Sequence, residues 1–299
     1  MVLIEVRAMR HFWAIVVLTV LVAAGQPAAN AYAESAMTQR GKTKIDFDLY
    51  HDYLIVVRGS AGPLKGLNFL FDTGATPSVL DPRIAKKLHL VTETTPIAVV
   101  GGMIEGRSAT VASMQIGPIA RENVAVSVQD LSSIQIGLPI RLDGIVGLDL
   151  LGQSTFVVDY VSRQISFGPL PPMPDSIPVH FKGGFPLVDA MVNLAPVHLL
   201  VDTGASSMVL FEASPGPESA AGTRGAQSSK TVGNFDRRRM RSIDLKLGAM
   251  EFGNESAFVI HSERNASHDF DGLMSPAALG VRGIAVDLAQ GKLALIRDK

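Results

Sequence analysis

Two aspartates occur in the same setting on opposite halves of the chain. Leu70 to Leu80 reads L-F-D-T-G-A-T-P-S-V-L, and Leu200 to Leu210 reads L-V-D-T-G-A-S-S-M-V-L. In each copy an apolar pair ends a buried strand, and the glycine permits a tight turn. Asp72 and Asp202 are therefore held on polar loops at the mouths of apolar elements. One Asp-Thr-Gly tripeptide is an ordinary turn, because all three residues suit turns. Two of them brought together about a pseudo-twofold axis would form a carboxylate dyad. Like charges at short range cannot both ionise easily, so such a pair shares a proton and can activate a water.

The elements that must position these loops repeat too, at an offset near 130 residues. Ile45 to Leu49 alternates with period two, and Tyr53 to Val57 and Leu67 to Phe71 are strand-like up to the first motif. Ile177 to Phe181, Leu187 to Val192 and Val197 to Val201 do the same for the second. Asp143-Gly144-Ile145-Val146-Gly147 returns as Asp271-Gly272-Leu273-Met274-Ser275, where apolar residues before a glycine allow close backbone approach behind the active loop. Ile116-Gly117 returns as Leu247-Gly248, Val100-Gly101-Gly102 as Val232-Gly233-Asn234, and Phe156 to Asp159 as Ile284 to Asp287. This is an internal duplication. The pattern predicts a strand-rich protein with few short helices, one of them opened by Asp81-Pro82 and ending near Leu88.

Residues 97 to 128 read as β-hairpins. Gly101-Gly102-Met103-Ile104-Glu105-Gly106 carries three glycines in six residues and predicts a mobile tip. It is either an ordinary surface hairpin or a flap that closes over substrate, with Gly101, Gly102, Met103 and Ile104 as its contact residues.

The chain has 299 residues, a formal net charge of -1 and no cysteine. The charge provides no global field for nucleic acid or anionic membrane, and the missing cysteine excludes disulfides, thiol chemistry and thiolate metal sites. Residues 1–33 read as an export signal: Arg7, Arg10 and His11 precede the apolar run Phe12 to Ala24, and Ala31-Tyr32-Ala33 is a small-x-small cleavage site. An uncleaved signal anchor is the alternative. Export without cysteine points weakly to a bacterial envelope, hence the periplasm. Residues 34–43 form a flexible linker, 44–170 the first lobe and 171–299 the second, with the proline-rich stretch Gly168 to Pro178 between them. Ala213 to Ser229 reads as a flexible loop. Arg237 to Arg241 falls where the second hairpin should turn and is either a solvated face or a basic rim for acidic substrates. Asn254-Glu255-Ser256 and Asn265-Ala266-Ser267 match a glycosylation sequon, a pattern with frequent chance matches.

Through these repeated motifs the chain resembles the pepsin and retropepsin aspartic proteases, from about residue 44 to 299. The resemblance implies two homologous β-barrel lobes with the active site in the cleft between them, fused in one chain as in a small bacterial two-lobed enzyme. Asp72 and Asp202 would hold the attacking water, one carboxylate acting as base and one carboxylic acid polarising the scissile carbonyl. Thr73 and Thr203 would cross-bond the loops, and Gly74 and Gly204 would let backbone N–H groups approach the carboxylates. The substrate would be an extended polypeptide held by main-chain hydrogen bonds. No cofactor, metal, nucleic acid or stable membrane span after signal cleavage is implied, and a monomer suffices because each chain carries both aspartates. Pepsins usually have Ser or Thr where this chain has Ala75 and Ala205. Without that hydroxyl donor the dyad should titrate higher, with an optimum on the order of pH 4 to 6.5.

Two further readings remain beside the endopeptidase. A non-catalytic peptide-binding module is favoured by Ser275, which stands where the first lobe has Gly147; Ser275-Pro276 also suits the start of a short helix through Leu279. A metal site on the paired carboxylates is weak, since His89 and His198 are the nearest histidines in sequence and their spacing suits no familiar ligand set.

Overall fold

The computed structural model describes residues 43–99, 102–152, 154–170, 172–173, 175–213, 240–262 and 270–297. The export signal, residues 34–42 of the linker, Gly101, most of the 213–229 loop, Val232 to Asn234, Arg237 to Arg239 and the sequon at Asn265 lie outside them.

The protein is all-β, in two lobes, with two short α-helices among the described residues. The first lobe holds β1 (Thr43–Tyr50), β2 (Leu54–Ala61), β3 (Leu64–Phe71), β4 (Val79–Leu80), β5 (Glu93–Val99), β6 (Gly102–Ile116), β7 (Ile119–Val128), β8 (Gly144–Val146), β9 (Thr155–Asp159) and β10 (Gln164–Phe167). The second holds β11 (Ile177–Lys182), β12 (Phe185–Val192), β13 (Ala195–Val201), β14 (Met208–Ala213), β15 (Met240–Leu247), β16 (Met250–Ser262), β17 (Gly272–Met274), β18 (Gly283–Asp287) and β19 (Lys292–Ile296). The helices are α1 (Pro82–Lys87) and α2 (Leu148–Leu151). Asp81 caps α1 by accepting the Arg83 N–H at 3.0 Å, with Pro82 in the first turn and Lys86 and Lys87 in the last; this is the order that backbone donors and the helix dipole favour.

The same wiring recurs in both lobes. β3 runs parallel to β8, pairing Leu70 with Ile145, and β13 runs parallel to β17, pairing Leu200 with Leu273. β4 lies antiparallel to β8 and parallel to β7, as β14 does to β17 and β16. Between the lobes the strand ladder β1-β10-β9-β18-β19-β11 is antiparallel throughout. At its centre β9 pairs with β18, its own duplicate, Val157 facing Ala285. The pseudo-twofold axis passes there.

The buried faces merge into one apolar core across the lobes. Phe71, the residue before Asp72, meets Phe156 edge to face at 5.2 Å, and Phe156 lies 6.3 Å from Phe167. All three rings are buried, worth on the order of 2–3 kcal/mol each. They tie the Asp72 loop to the interlobe ladder.

Two sequence expectations need correction. The glycine-rich tip is tighter than its composition suggests: β5 pairs with β6 as far as Val99 opposite Gly102, and Gly106 lies inside β6 opposite Thr95. A Cβ on Gly106 would collide with the Ile97 side chain, so this glycine makes room for packing within the strand pair. Arg241 sits within β15, opposite Ala257, rather than in a turn. The strand partner decides this, and charge composition does not report it. Asn254-Glu255-Ser256 likewise lies within β16.

Candidate active site

Asp72 follows β3 and Asp202 follows β13, so each loop takes its position from a buried parallel strand pair. The Asp72 N–H donates to the Val146 carbonyl and the Asp202 N–H to the Met274 carbonyl, both at 3.0 Å. Each aspartate then folds back on its own loop: Gly74 N–H donates to Asp72 Oδ1 at 2.7 Å, and Gly204 N–H to Asp202 Oδ1 at 2.8 Å.

The loops are locked to each other by their threonines. Thr73 Oγ1 donates to the Val201 carbonyl at 2.7 Å and accepts the Thr203 N–H at 3.2 Å. Thr203 Oγ1 donates to the Phe71 carbonyl at 3.0 Å and accepts the Thr73 N–H at 3.0 Å. Both hydroxyls are buried, where a satisfied network holds one geometry and a broken one leaves costly unpaired groups.

The two carboxyls become neighbours across this lock. A Cβ on Gly74 would lie 2.5 Å from the Asp202 carboxyl carbon, and one on Gly204 would lie 2.6 Å from Asp72 Oδ2. Any side chain at either glycine would therefore displace the opposite carboxyl. Asp72 and Asp202 are about 1% or less exposed. Burial raises the Asp72 carboxyl to about 6, with the Gly74 N–H, the Asp202 carboxyl and the Gly204 N–H acting in the opposite direction. Asp202 is raised well above the usual carboxylate range by burial and then by the Asp72 charge. Two buried carboxyls this close cannot both ionise easily, so the pair shares one proton and titrates as a unit in two steps.

Ala75 and Ala205 are buried directly behind the loops. In the first lobe the Ala75 carbonyl accepts the Leu148 N–H at 2.8 Å, and a Cβ on Gly147 would press into that carbonyl. In the second lobe Leu148 is replaced by Pro276, which has no N–H to give. Ser275 takes over: its hydroxyl donates to the Ala205 carbonyl at 2.6 Å and accepts the Ala278 N–H at 3.2 Å. The serine also opens the short 3-10 turn Ala277–Leu279. The Gly-to-Ser and Leu-to-Pro differences between the lobes thus compensate each other.

Sequence reasoning missed Ser78 and Asp149. The Ser78 N–H and hydroxyl both donate to Asp149 Oδ1, at 2.8 and 2.7 Å, and Ser78 Oγ accepts the Gly147 N–H at 3.0 Å. They brace the Asp72 loop from behind. The signal was an acid inside the apolar run Leu148-Asp149-Leu150-Leu151; burial raises its carboxyl. The second lobe has Met208 and Ala277 at these places, so the brace exists on one side only. Ile104 of the β5–β6 hairpin packs against a small apolar cluster that contains Ile97, Leu70 and Ala75, which sets the inner face of the hairpin beside the Asp72 loop. Gly101 lies outside the described residues.

Two lobes of like wiring, joined at paired Asp-Thr-Gly loops, define a two-lobed all-β protein of the acid-protease class. Residues 57–150 match the family model for aspartyl proteases, a likeness that supports a place for this segment among the pepsin/retropepsin-like aspartic proteases. That segment runs from β2 to α2 and contains the Asp72 loop and its supports. A protease-family domain implies a polypeptide substrate. A search of curated proteins finds no match. No helix among the described residues is long and apolar enough to cross a membrane.

Proposed function

We propose that this protein is a monomeric aspartic endopeptidase, a duplicated two-lobed bacterial enzyme that is exported to the periplasm and cleaves envelope or exported polypeptides. The observation that carries the reading is the juxtaposition of the Asp72 and Asp202 carboxyls, both buried and each held against the opposite loop's glycine in a threonine-locked seam. Asp72, ionised, takes a proton from a water as that water attacks the scissile carbonyl. Asp202, protonated, donates a hydrogen bond to the carbonyl oxygen as negative charge develops there. The tetrahedral intermediate collapses when the leaving nitrogen is protonated, and the pair returns to its single shared proton. No covalent intermediate is needed.

The substrate would lie extended against the seam under the β5–β6 hairpin, and the apolar cluster around Ala75 and Ile104 favours an apolar side chain next to the scissile bond. Ser275 had been the feature favouring a binding module without turnover. Its bond to the Ala205 carbonyl repairs the contact that Pro276 removes, which supports a working second loop. The leader-like residues 1–33 support export.

The test is cleavage of a mixed peptide library, with and without a transition-state-analogue inhibitor of aspartic proteases, by the parent and by Asp72→Asn and Asp202→Asn. The parent should cleave and be inhibited, and each variant should lose at least about a thousandfold in kcat while remaining folded. Near-normal turnover in either variant would remove the assignment.

A further inference from the structure

Three side chains of the second lobe, all outside the Asp-Thr-Gly loops, converge on one oxygen. His180 on β11, Asp189 on β12 and His198 on β13 come from three successive strands. His180 Nε2 lies 3.0 Å and His198 Nδ1 2.7 Å from Asp189 Oδ1. The three ligand atoms all lie within 4.8 Å of one another, and the two rings meet edge to face at 6.0 Å. All three side chains reach solvent.

We propose that His180, Asp189 and His198 form a binding site for a divalent transition-metal cation of the zinc class, with water completing its coordination. Two imidazoles and one carboxylate suit zinc, nickel or copper; calcium and magnesium prefer all-oxygen shells. Metal–ligand bonds of about 2.0–2.2 Å in a tetrahedral arrangement need ligand atoms roughly 3.4 Å apart. The two imidazole–carboxylate separations, 3.0 and 2.7 Å, fall a few tenths of an ångström short of that value, and exposed side chains reach it by small rotations.

The backbone already holds the trio in place. Asp189 and His198 face each other directly in the β12–β13 ladder. His180 faces Leu187, two residues before Asp189, so it reaches across the diagonal of the sheet. The His198 N–H donates to Asp271 Oδ2 and the Asp271 N–H to the His198 carbonyl, both at 2.8 Å, which fixes β13 at this residue. Solvent-exposed ion pairs by themselves contribute little stability, so the convergence is not explained by folding energy.

The duplication supplies an internal control. The same ladder positions in the first lobe are held by Asp48 opposite Val56, and by Arg58 opposite Asn68. An arginine at the centre and no imidazole cannot take a cation. The fold builds these three strands without the trio, so the trio belongs to the second lobe alone. The site is also separate from the carboxylate pair: Leu199, Leu200 and Val201 lie between His198 and Asp202, a span of roughly 13 Å of extended chain.

The experiment is calorimetric titration of the purified, chelator-stripped full chain with Zn2+, beside Asp189→Asn, His198→Ala and a His51→Ala/His89→Ala control. Binding of one ion per chain is expected, at least about a hundredfold weaker in the first two variants and unchanged in the control. Circular dichroism checks that the variants are folded. In the unaltered protein, Zn2+ should perturb the imidazole NMR signals of His180 and His198 before those of any other histidine. No Zn2+ binding by the parent, undiminished binding by folded His198→Ala, or first perturbation at other histidines would each overturn the proposal.

Discussion

Ser275 donates its hydroxyl hydrogen to the Ala205 carbonyl across 2.6 Å, and so fills the place that the Leu148 N–H holds behind Ala75 in the other lobe. The bond exists because Pro276 has no N–H. Ser275→Gly should leave a buried carbonyl unpaired and cost about 1–3 kcal/mol. Adding Pro276→Leu should restore at least half of the loss, because the leucine N–H can then make the first-lobe contact. Denaturant unfolding of the two single variants and the double variant reads the coupling directly. Strict additivity would separate the two positions.

The carboxylate pair should destabilise the fold at neutral pH. Asp72 and Asp202 both have folded-state values raised above the ordinary carboxylate range, so the folded chain retains protons that the unfolded chain releases. Their favourable contribution is therefore fully present below about pH 4 and is lost as pH rises through about 6 and beyond. Asp202→Asn removes a carboxyl whose ionised form is poorly tolerated. It should raise stability by about 2 kcal/mol or more at pH 8 and change it little at pH 4, even as turnover is lost. Thermal melts across that range check the sign.

In the proposed mechanism, turnover requires Asp72 ionised and Asp202 protonated. Burial brings the Asp72 carboxyl to about 6, so the acid limb of kcat/KM should fall near that value. The optimum should then lie at about pH 6–7, at or slightly above the upper end of the range read from Ala75 and Ala205. Ala75→Ser with Ala205→Ser adds a donor to the charged form and should move the profile towards acid. A parent optimum below about pH 4, or an alkaline shift in the double variant, would show that another group sets the titration.

Gly106, opposite Thr95 in the β5–β6 hairpin, lies against the diagonal Ile97 side chain without room for a Cβ. Gly106→Ala should cost about 1–3 kcal/mol by overpacking and loosen the hairpin. Faster amide exchange along β5 and β6, with the rest of the first lobe unchanged, is the expected signature. Slower exchange of the same strands on binding a peptide inhibitor would mark the hairpin as the covering element.

Much of the architecture was legible in the chain. The paired Asp-Thr-Gly-Ala motifs, their offset near 130 residues and the two-residue alternation around them point to a strand protein of two like halves, because local pattern and local turn chemistry carry that information. The cap of α1 is local too: Asp81 and Pro82 act on the next three residues. What required the tertiary structure is everything set by register and burial. His180, Asp189 and His198 are nine residues apart in sequence, a spacing that suggests no ligand set until β11, β12 and β13 align. Gly106 reads as freedom among the glycines and as a packing necessity once the Ile97 side chain reaches across the hairpin diagonal to it. Ser275 reads as a defect beside Gly147, until Pro276 is seen to have removed the partner of Ala205. That the two carboxyls come to share one seam is invisible in the tripeptides themselves. The tertiary contact of the two loops decides it, and burial there raises both carboxyls above their ordinary range.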